Sequence, residues 1–102
     1  MLFIESSAFR KQREKHLDDE AFRALQNEIV EHPEKGKLIR GSGGLRKIRF
    51  GIQEKGKSGG IRVIYYFAVS TDTIYLLDLY AKSEQETLTP DQIKAVRRRL
   101  NE

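Results

Sequence analysis

The sequence contains no cysteine, which excludes disulfides, thiolate metal sites and a cysteine nucleophile. It has two histidines, His16 and His32, which lie in the acidic N-terminal part and are interpreted as structural residues. No acidic cluster or histidine pair predicts a metal site, and residues 41–44 lack the lysine spacing of a phosphate-binding loop. We therefore expect neither a metal nor a small-molecule cofactor.

Long apolar runs are also missing. The longest run, residues 61–70, is interrupted by Arg62, so no membrane-spanning segment is predicted. Glu5 and Arg10 interrupt the start of the chain, so we predict no signal peptide and expect a cytoplasmic location. The length of 102 residues is suited to one domain with one core, and residues 1–102 are taken as a single domain.

Positive charge, by contrast, is abundant and concentrated in one part of the chain. Residues 1–34 carry five basic and eight acidic side chains, a net charge of −3, whereas residues 35–62 carry nine basic side chains and one acidic one, a net charge of +8. A solvated surface usually mixes both signs. A segment this one-sided attracts polyanions, and nucleic acid is the commonest of these. The alternative interpretation is chance clustering on a soluble surface.

Sequence patterns predict an α+β fold with the element order β-α-α-β-β-β-α. Residues 1–5 are suited to a first strand, and residues 45–52, 61–68 and 73–81 are rich in β-branched and aromatic residues. The short turn at residues 70–72 makes the last two strands antiparallel neighbours, so we expect a small, antiparallel-rich sheet.

Three helices are predicted from their caps. Ser6 or Ser7 can begin the first helix, and Asp18 the second, which ends at Pro33. Thr89 and Gln92 have the spacing of a capping box, which begins the closing helix. The apolar residues of this helix that we expect in the core are Ile93, Val96 and Leu100.

Alternation along the strands predicts which side chains share a face of the sheet, because residues i and i+2 point the same way. The predicted core face comprises Ile48, Phe50, Ile52, Ile61, Val63, Tyr65, Phe67, Tyr75, Leu77 and Leu79. The other face gathers four cations and two phenols, namely Lys47, Arg49, Arg62, Tyr66, Tyr80 and Lys82. We therefore expect a shallow cationic patch there.

Arg62 is the most informative member of this patch. It interrupts an otherwise apolar strand in the middle of the sheet, where a charge is costly unless it is paired or functional. Asp78 is a possible ion-pair partner. Tyr80 lies near a strand end, where we expect an exposed ring, and the run of arginines at residues 97–99 is interpreted mainly as a solvated helix end.

Three segments resemble the HigB-like toxins of the RelE superfamily: GGLRKIR at residues 43–49, GKSGGIRVIYY at residues 56–66, and YLLDLYAK at residues 75–82. The resemblance covers nearly the whole chain. It implies a RelE-like fold and a type II toxin that enters the ribosomal A site and cleaves messenger RNA. It also implies neutralisation by a cognate antitoxin, in this branch usually a helix-turn-helix repressor.

The resemblance also implies roles for individual residues. Lys47 and Arg49 match the Lys-x-Lys pattern of such toxins, and Arg62 and Lys82 match the basic residues of the following two strands. These toxins also use a tyrosine near the C-terminus, where this chain has Leu88, so Tyr80 is the nearest substitute. RNA binding is assigned to Arg46, Lys55, Lys57 and Tyr66.

The patch contains the groups that RNA cleavage by the ribose 2′-hydroxyl requires. Arg62, assisted by Arg49, can stabilise the charge that develops on the phosphate. The like charges of these arginines disfavour the protonated form of Lys47, so Lys47 can act as the base. Lys82 or Tyr80 can donate a proton to the leaving oxygen, and Tyr80 can also stack on a base.

Two other functions are compatible with the same residues. A ParE-like toxin of the same fold would inhibit DNA gyrase without nuclease chemistry, and a non-catalytic RNA-binding module would use the cations for phosphate contacts alone. Fold does not separate these functions, because they differ in the site. The set Lys47, Arg49, Arg62 and Lys82 favours the nuclease.

Overall fold

The computed structural model describes residues 1–51, 60–85 and 87–102. Within these ranges one sheet has the strand order β1-β5-β4-β3-β2. The elements along the chain are β1 (Leu2–Glu5), α1 (Ser7–His16), α2 (Asp19–Glu31), β2 (Lys37–Leu38), β3 (Leu45–Phe50), β4 (Ile61–Ala68), β5 (Thr73–Ala81) and α3 (Pro90–Arg98). The predicted α+β class and element order are confirmed, with the two-residue strand β2 added.

The sheet is antiparallel except at one edge. β2, β3, β4 and β5 pair with their neighbours in antiparallel fashion, whereas β1 pairs with β5 in parallel, with Leu2 opposite Thr73. The N-terminal strand therefore lies beside a strand from the far end of the chain. None of the helices in the described ranges is long and apolar enough to cross a membrane.

The predicted caps begin all three α-helices. The Ser6 hydroxyl accepts a hydrogen bond from the Phe9 amide at 3.0 Å, and the Asp18 carboxylate accepts one from the Ala21 amide at 2.7 Å. The capping box at Thr89 is complete, since the Thr89 and Gln92 side chains each accept a hydrogen bond from the other residue's amide. Local sequence thus determines where these helices begin.

Helices cover both faces of the sheet, so the core has two layers. Helices α1 and α2 pack on one face, in a cluster of Phe9, Leu17, Leu25, Ile29, Ile48, Ile61, Val63, Tyr65, Ile74, Leu76 and Leu79. Helix α3 packs on the other, in a cluster of Leu45, Ile64, Leu77, Tyr80 and Val96. Ile93 and Leu100 pack against this second cluster, as predicted.

The alternation predicted for β5 is wrong at two positions. Tyr75 and Leu77 were expected on the face of Val63 and Tyr65, but they belong to the α3 layer, and Ile74 and Leu76 take their place. The cause is a β-bulge. Ile64 pairs with Asp78 while the next residue, Tyr65, pairs with Leu76, so Leu77 is an extra residue that reverses the alternation before it. Beyond the bulge, Leu79 and Tyr80 lie on the predicted faces.

The buried Tyr65 and the half-buried Arg46 hold the turn at residues 33–36, which joins α2 to β2. The Tyr65 hydroxyl donates to the Pro33 carbonyl at 2.7 Å and accepts from the Gly36 amide at 3.0 Å. The Arg46 guanidinium donates to the Glu34 and Gly36 carbonyls at 3.0 and 2.7 Å. We call this arrangement the Tyr65–Arg46 clamp.

Two of the three arginines near the C-terminus are also anchored, which corrects the expectation of a mainly solvated helix end. Arg97 donates to the Ser42 and Gly43 carbonyls, both at 3.1 Å, and Arg99 donates to the Leu77 carbonyl at 3.0 Å. These contacts tie the C-terminal end of α3 to the sheet. Sequence periodicity did not reveal them because they depend on the tertiary position of α3.

Candidate functional site

A cavity of about 480 Å³ is surrounded by cationic side chains. The described residues that line it are Lys35, Lys37, Lys47, Ile48, Arg49, Arg62, Lys82 and Thr87. Six of these eight are basic and none is acidic. Such a lining favours an anionic ligand, because field lines from several like charges converge in a concave site. Four of the predicted site residues, Lys47, Arg49, Arg62 and Lys82, are brought together here.

Strand register explains why these side chains meet. Arg49 of β3 lies directly opposite Arg62 of β4, which lies opposite Tyr80 of β5, so the three form one row across the sheet. A second row lies two residues away along β3, where Lys47 is opposite Lys37 of β2. Directly opposed residues share a face, so both rows lie on the α3 side of the sheet.

Arg62 lines this cavity although its side chain is buried. Its exposed fraction is 6%, and one of its guanidinium nitrogens is 3.5 Å from the Ile61 carbonyl oxygen. The suggested ion pair with Asp78 is not the one that the structure shows, since Asp78 pairs with Arg99 at 3.4 Å. A buried cation that lines an anion-attracting cavity is the arrangement expected of a phosphate-binding arginine.

Tyr80 differs from expectation in its exposure. Its exposed fraction is 5%, because the ring packs in the α3 layer, so it offers no free face for stacking on a base. Its hydroxyl has no hydrogen-bond partner within the described part of the chain. Burial raises the pKa of this hydroxyl above its ordinary value, and the nearby Arg62 charge opposes the shift. The phenol is therefore neutral at physiological pH and remains a potential proton donor.

Two of the residues assigned to RNA binding, Arg46 and Tyr66, are not among the described residues that line the cavity. Tyr66 lies opposite Leu45 and Tyr75, and its ring is 6.4 Å from the Tyr75 ring. Arg46 belongs to the clamp on the 33–36 turn. Lys55 and Lys57 lie outside the described residues. RNA contacts by these four residues stay predictions.

Lys35, Lys37 and Thr87 line the cavity although the site prediction did not include them. Lys35 and Lys37 belong to the basic segment that was identified from composition, which was the available signal. Strand β2 has two residues, too few for an alternating pattern, so the sequence could not place Lys37 opposite Lys47.

Residues 2–101 match the family model of the RelE toxin of the RelE/RelB toxin–antitoxin system. The chain belongs to this toxin family. Its fold is similar to that of a solved structure of the Escherichia coli toxin RelE, a mutant of two arginines in the free state, with a TM-score of 0.62. The two sequences are 16% identical, and the alignment covers 97% of this chain and 95% of that one. At this identity the likeness establishes the RelE fold, and the family model establishes a toxin that has an antitoxin partner.

Proposed function

We propose that this RelE-family toxin is an endoribonuclease that cleaves messenger RNA on the ribosome and thereby inhibits translation. The observation that carries the proposal is the cavity in which a buried arginine, Arg62, meets Arg49, Lys47 and Lys82. This arrangement favours phosphodiester cleavage over gyrase inhibition, because positioned cations stabilise the negative charge that develops on the phosphate. The proposed place of action is the cytoplasm, where ribosomes and messages are found.

The reaction begins with attack of the ribose 2′-oxygen on the adjacent phosphorus. Lys47, which lines the cavity beside Arg49 and Arg62, is the group proposed to accept the 2′-hydroxyl proton. Arg62 donates two parallel hydrogen bonds to the phosphate oxygens as negative charge develops, and Arg49 assists from the next strand. The bond to the 5′-oxygen then breaks, which leaves a 2′,3′-cyclic phosphate.

The leaving 5′-oxygen requires a proton. Lys82 is the proposed donor, because it lines the cavity and begins the turn that follows β5. Tyr80 is the second choice, since its neutral, unpartnered hydroxyl lies in the row of Arg62. The ribosome supplies the alignment of message and toxin, so a shallow cavity is sufficient for this chemistry.

The proposed antitoxin is a helix-turn-helix protein, and residues 1–102 are proposed to act as one toxin domain. Both hydrophobic layers share one sheet, which supports a single unit.

Replacement of Arg62 tests the proposed function. Wild-type toxin expressed with a reporter message should produce new 5′ ends within the translated region, and Arg62→Ala should abolish them while ribosome binding is largely retained. Arg62→Lys keeps the charge but loses the planar fork, so it should cleave at a reduced rate and serves if Arg62→Ala does not fold. Arg23→Ala, on the exposed surface of α2, is the matched control and should cleave normally.

Other outcomes identify the alternatives. Intact message together with accumulating DNA breaks would show a gyrase inhibitor. Intact message with toxin bound to the ribosome, and a binding constant whose salt dependence flattens in Arg62→Ala, would show a non-catalytic RNA-binding module.

The role of Lys47 is tested by the pH dependence of cleavage. If Lys47 is the base, Lys47→Ala should lower the rate by about 10²–10⁴-fold and remove one limb of the pH–rate profile. The measurement is single-turnover cleavage on programmed ribosomes at a series of pH values. A profile of unchanged shape in the variant would assign the base to another group.

A further inference from the structure

We propose that Lys37, with Lys35 beside it, forms a second phosphate-binding position in the same cavity, which takes the phosphate next to the one that is cleaved. The inference rests on the proposed nuclease function and adds to it a requirement for substrate length. A substrate would need at least two consecutive phosphates in the cavity, one at Arg62 and one at Lys37.

The spacing of the two cationic rows supports this position. One row pairs Lys37 of β2 with Lys47 of β3, and the other pairs Arg49 of β3 with Arg62 of β4. Lys47 and Arg49 are two residues apart on β3. Two strand residues span about 7 Å. This is about one nucleotide step along an extended RNA strand. Lys37 and Arg62 are also about 10 Å apart across the sheet, because β3 lies between their strands. Their long side chains line the same cavity, where they can converge on consecutive phosphates. Positive grooves that follow the backbone in this way are typical of proteins that bind single-stranded nucleic acid.

The charge of Lys37 is available for a ligand. The side chain is exposed, it lines the cavity, and it forms no ion pair with another residue of the described ranges. Lys35 is different, because its ammonium is 2.9 Å from the Glu28 carboxylate. Part of its charge is therefore neutralised, and we expect Lys37 to make the larger contribution.

The backbone that carries these lysines is held by the Tyr65–Arg46 clamp. Four hydrogen bonds from two side chains fix the carbonyls or amides of Pro33, Glu34 and Gly36. Gly36 packs so closely that an added Cβ would lie 2.7 Å from the Tyr65 ring. A turn held in this way loses little further freedom when its lysines bind a phosphate, which favours binding. Tyr65 and Arg46 are thus positioning residues.

The test compares loss of the lysine charge with loss of the phosphate charge. Wild-type toxin and Lys37→Ala are assayed in single-turnover cleavage on ribosomes programmed with a normal message or with messages that carry one neutral methylphosphonate linkage, on either side of the cleaved bond. Lys37→Ala should lower kcat/KM on the normal message by about twofold to fivefold, as expected of one partly solvated charge pair. On the message whose neutral linkage occupies the second position, the same substitution should have no further effect.

Equal losses from Lys37→Ala on the normal message and on both neutral messages would overturn the second position. Lys35→Ala should give a smaller loss with the same pattern, and Lys11→Ala, on the exposed surface of α1, is the charge-matched control that should change nothing. Tyr65→Phe should reduce the difference in kcat/KM between the normal message and the message whose neutral linkage occupies the second position. Cleavage by this variant should still depend on Arg62. An unchanged difference would show that Tyr65 is merely structural.

Failure of the proposed nuclease function is recognised separately, because the wild-type toxin would then cleave none of the messages. In that case the second position is decided by binding. The logarithm of the binding constant for a short single-stranded RNA should depend less steeply on the logarithm of salt concentration in Lys37→Ala, by about 0.7 for one lost phosphate contact. An unchanged slope would overturn the second position.

Discussion

Tyr80 carries a buried hydroxyl that no described residue satisfies, and such groups usually lower stability. The ring itself packs well in the α3 layer, so the hydroxyl is the unfavourable part of the side chain. Its place opposite Arg62 gives a functional reason for its presence, since a neutral phenol beside the cationic cavity can donate a proton.

The stability of Tyr80→Phe should therefore depend on pH in a defined way. At neutral pH the substitution should increase the free energy of unfolding by about 1 kcal/mol, because an unsatisfied buried hydroxyl is removed. Burial raises the pKa of Tyr80 in the folded state above 10.0, so the unfolded chain ionises first and wild-type stability is lost as pH rises above about 10. Urea unfolding at a series of pH values should show a smaller alkaline loss for Tyr80→Phe.

Tyr65→Phe provides the comparison. Burial raises the pKa of Tyr65 as well, so this variant should also lose less stability at alkaline pH. At neutral pH, however, it should be less stable than wild type by about 1–3 kcal/mol, because the Gly36 amide and Pro33 carbonyl lose their partner. If the free energy of unfolding fell equally steeply with pH above about 10 in the wild type and in both variants, the raised pKa values of Tyr80 and Tyr65 would be contradicted.

Helix α3 is held on the sheet by its apolar face and by arginine contacts at its C-terminal end. The apolar part is readable from sequence, whereas the arginines at residues 97–99 look equivalent there. In the fold they differ, because Arg97 binds the carbonyls of the turn at residues 42–43 and Arg99 binds the Leu77 carbonyl. Gly43 has φ +72°, and an added Cβ would lie 2.6 Å from the Arg97 guanidinium, so the contact also constrains this turn.

Arg97→Ala should accordingly destabilise the protein by about 1 kcal/mol, which is typical of lost hydrogen bonds at a partly exposed site. Arg98→Ala is the matched control, since Arg98 is also exposed and has the same charge, and its effect should stay within about 0.5 kcal/mol. Chemical denaturation of both variants at equal ionic strength measures the difference. Equal losses would mean that the Arg97 contacts contribute nothing.

Helix caps, strand limits and the apolar stripe of α3 could be predicted from sequence because neighbours in the chain determine them. The clustering of Lys47, Arg49, Arg62 and Lys82 also followed from alternation, since β3 and β4 are regular and the bulge in β5 lies before Tyr80. The faces on which Tyr75 and Leu77 lie could not be predicted from sequence, because the bulge that decides them depends on how β4 and β5 pair. The place of Lys37 in the cavity lining could not be predicted either, because its two-residue strand is defined only by pairing with β3.

Across the whole molecule, charge and burial divide between the two faces of the sheet. The acidic segment, residues 1–34, supplies α1 and α2 on one face, whereas the cationic cavity opens on the side that α3 covers in part. Helices α1 and α2 carry five basic and five acidic side chains between them, a net charge of zero. The cationic cavity is therefore the side that a polyanion attracts. The toxin should therefore meet RNA with the cavity leading and α1 and α2 directed away.

The parallel pairing of β1 with β5 has a consequence for synthesis. Phe3 is made 71 residues before its neighbour Ile74, so β1 emerges long before the strand that it pairs with. At about 5–20 residues per second this delay lasts several seconds. The cavity forms later still, since Lys82 and Thr87 line it. The cavity of a nascent chain is therefore incomplete until nearly all of the described fold has left the exit tunnel.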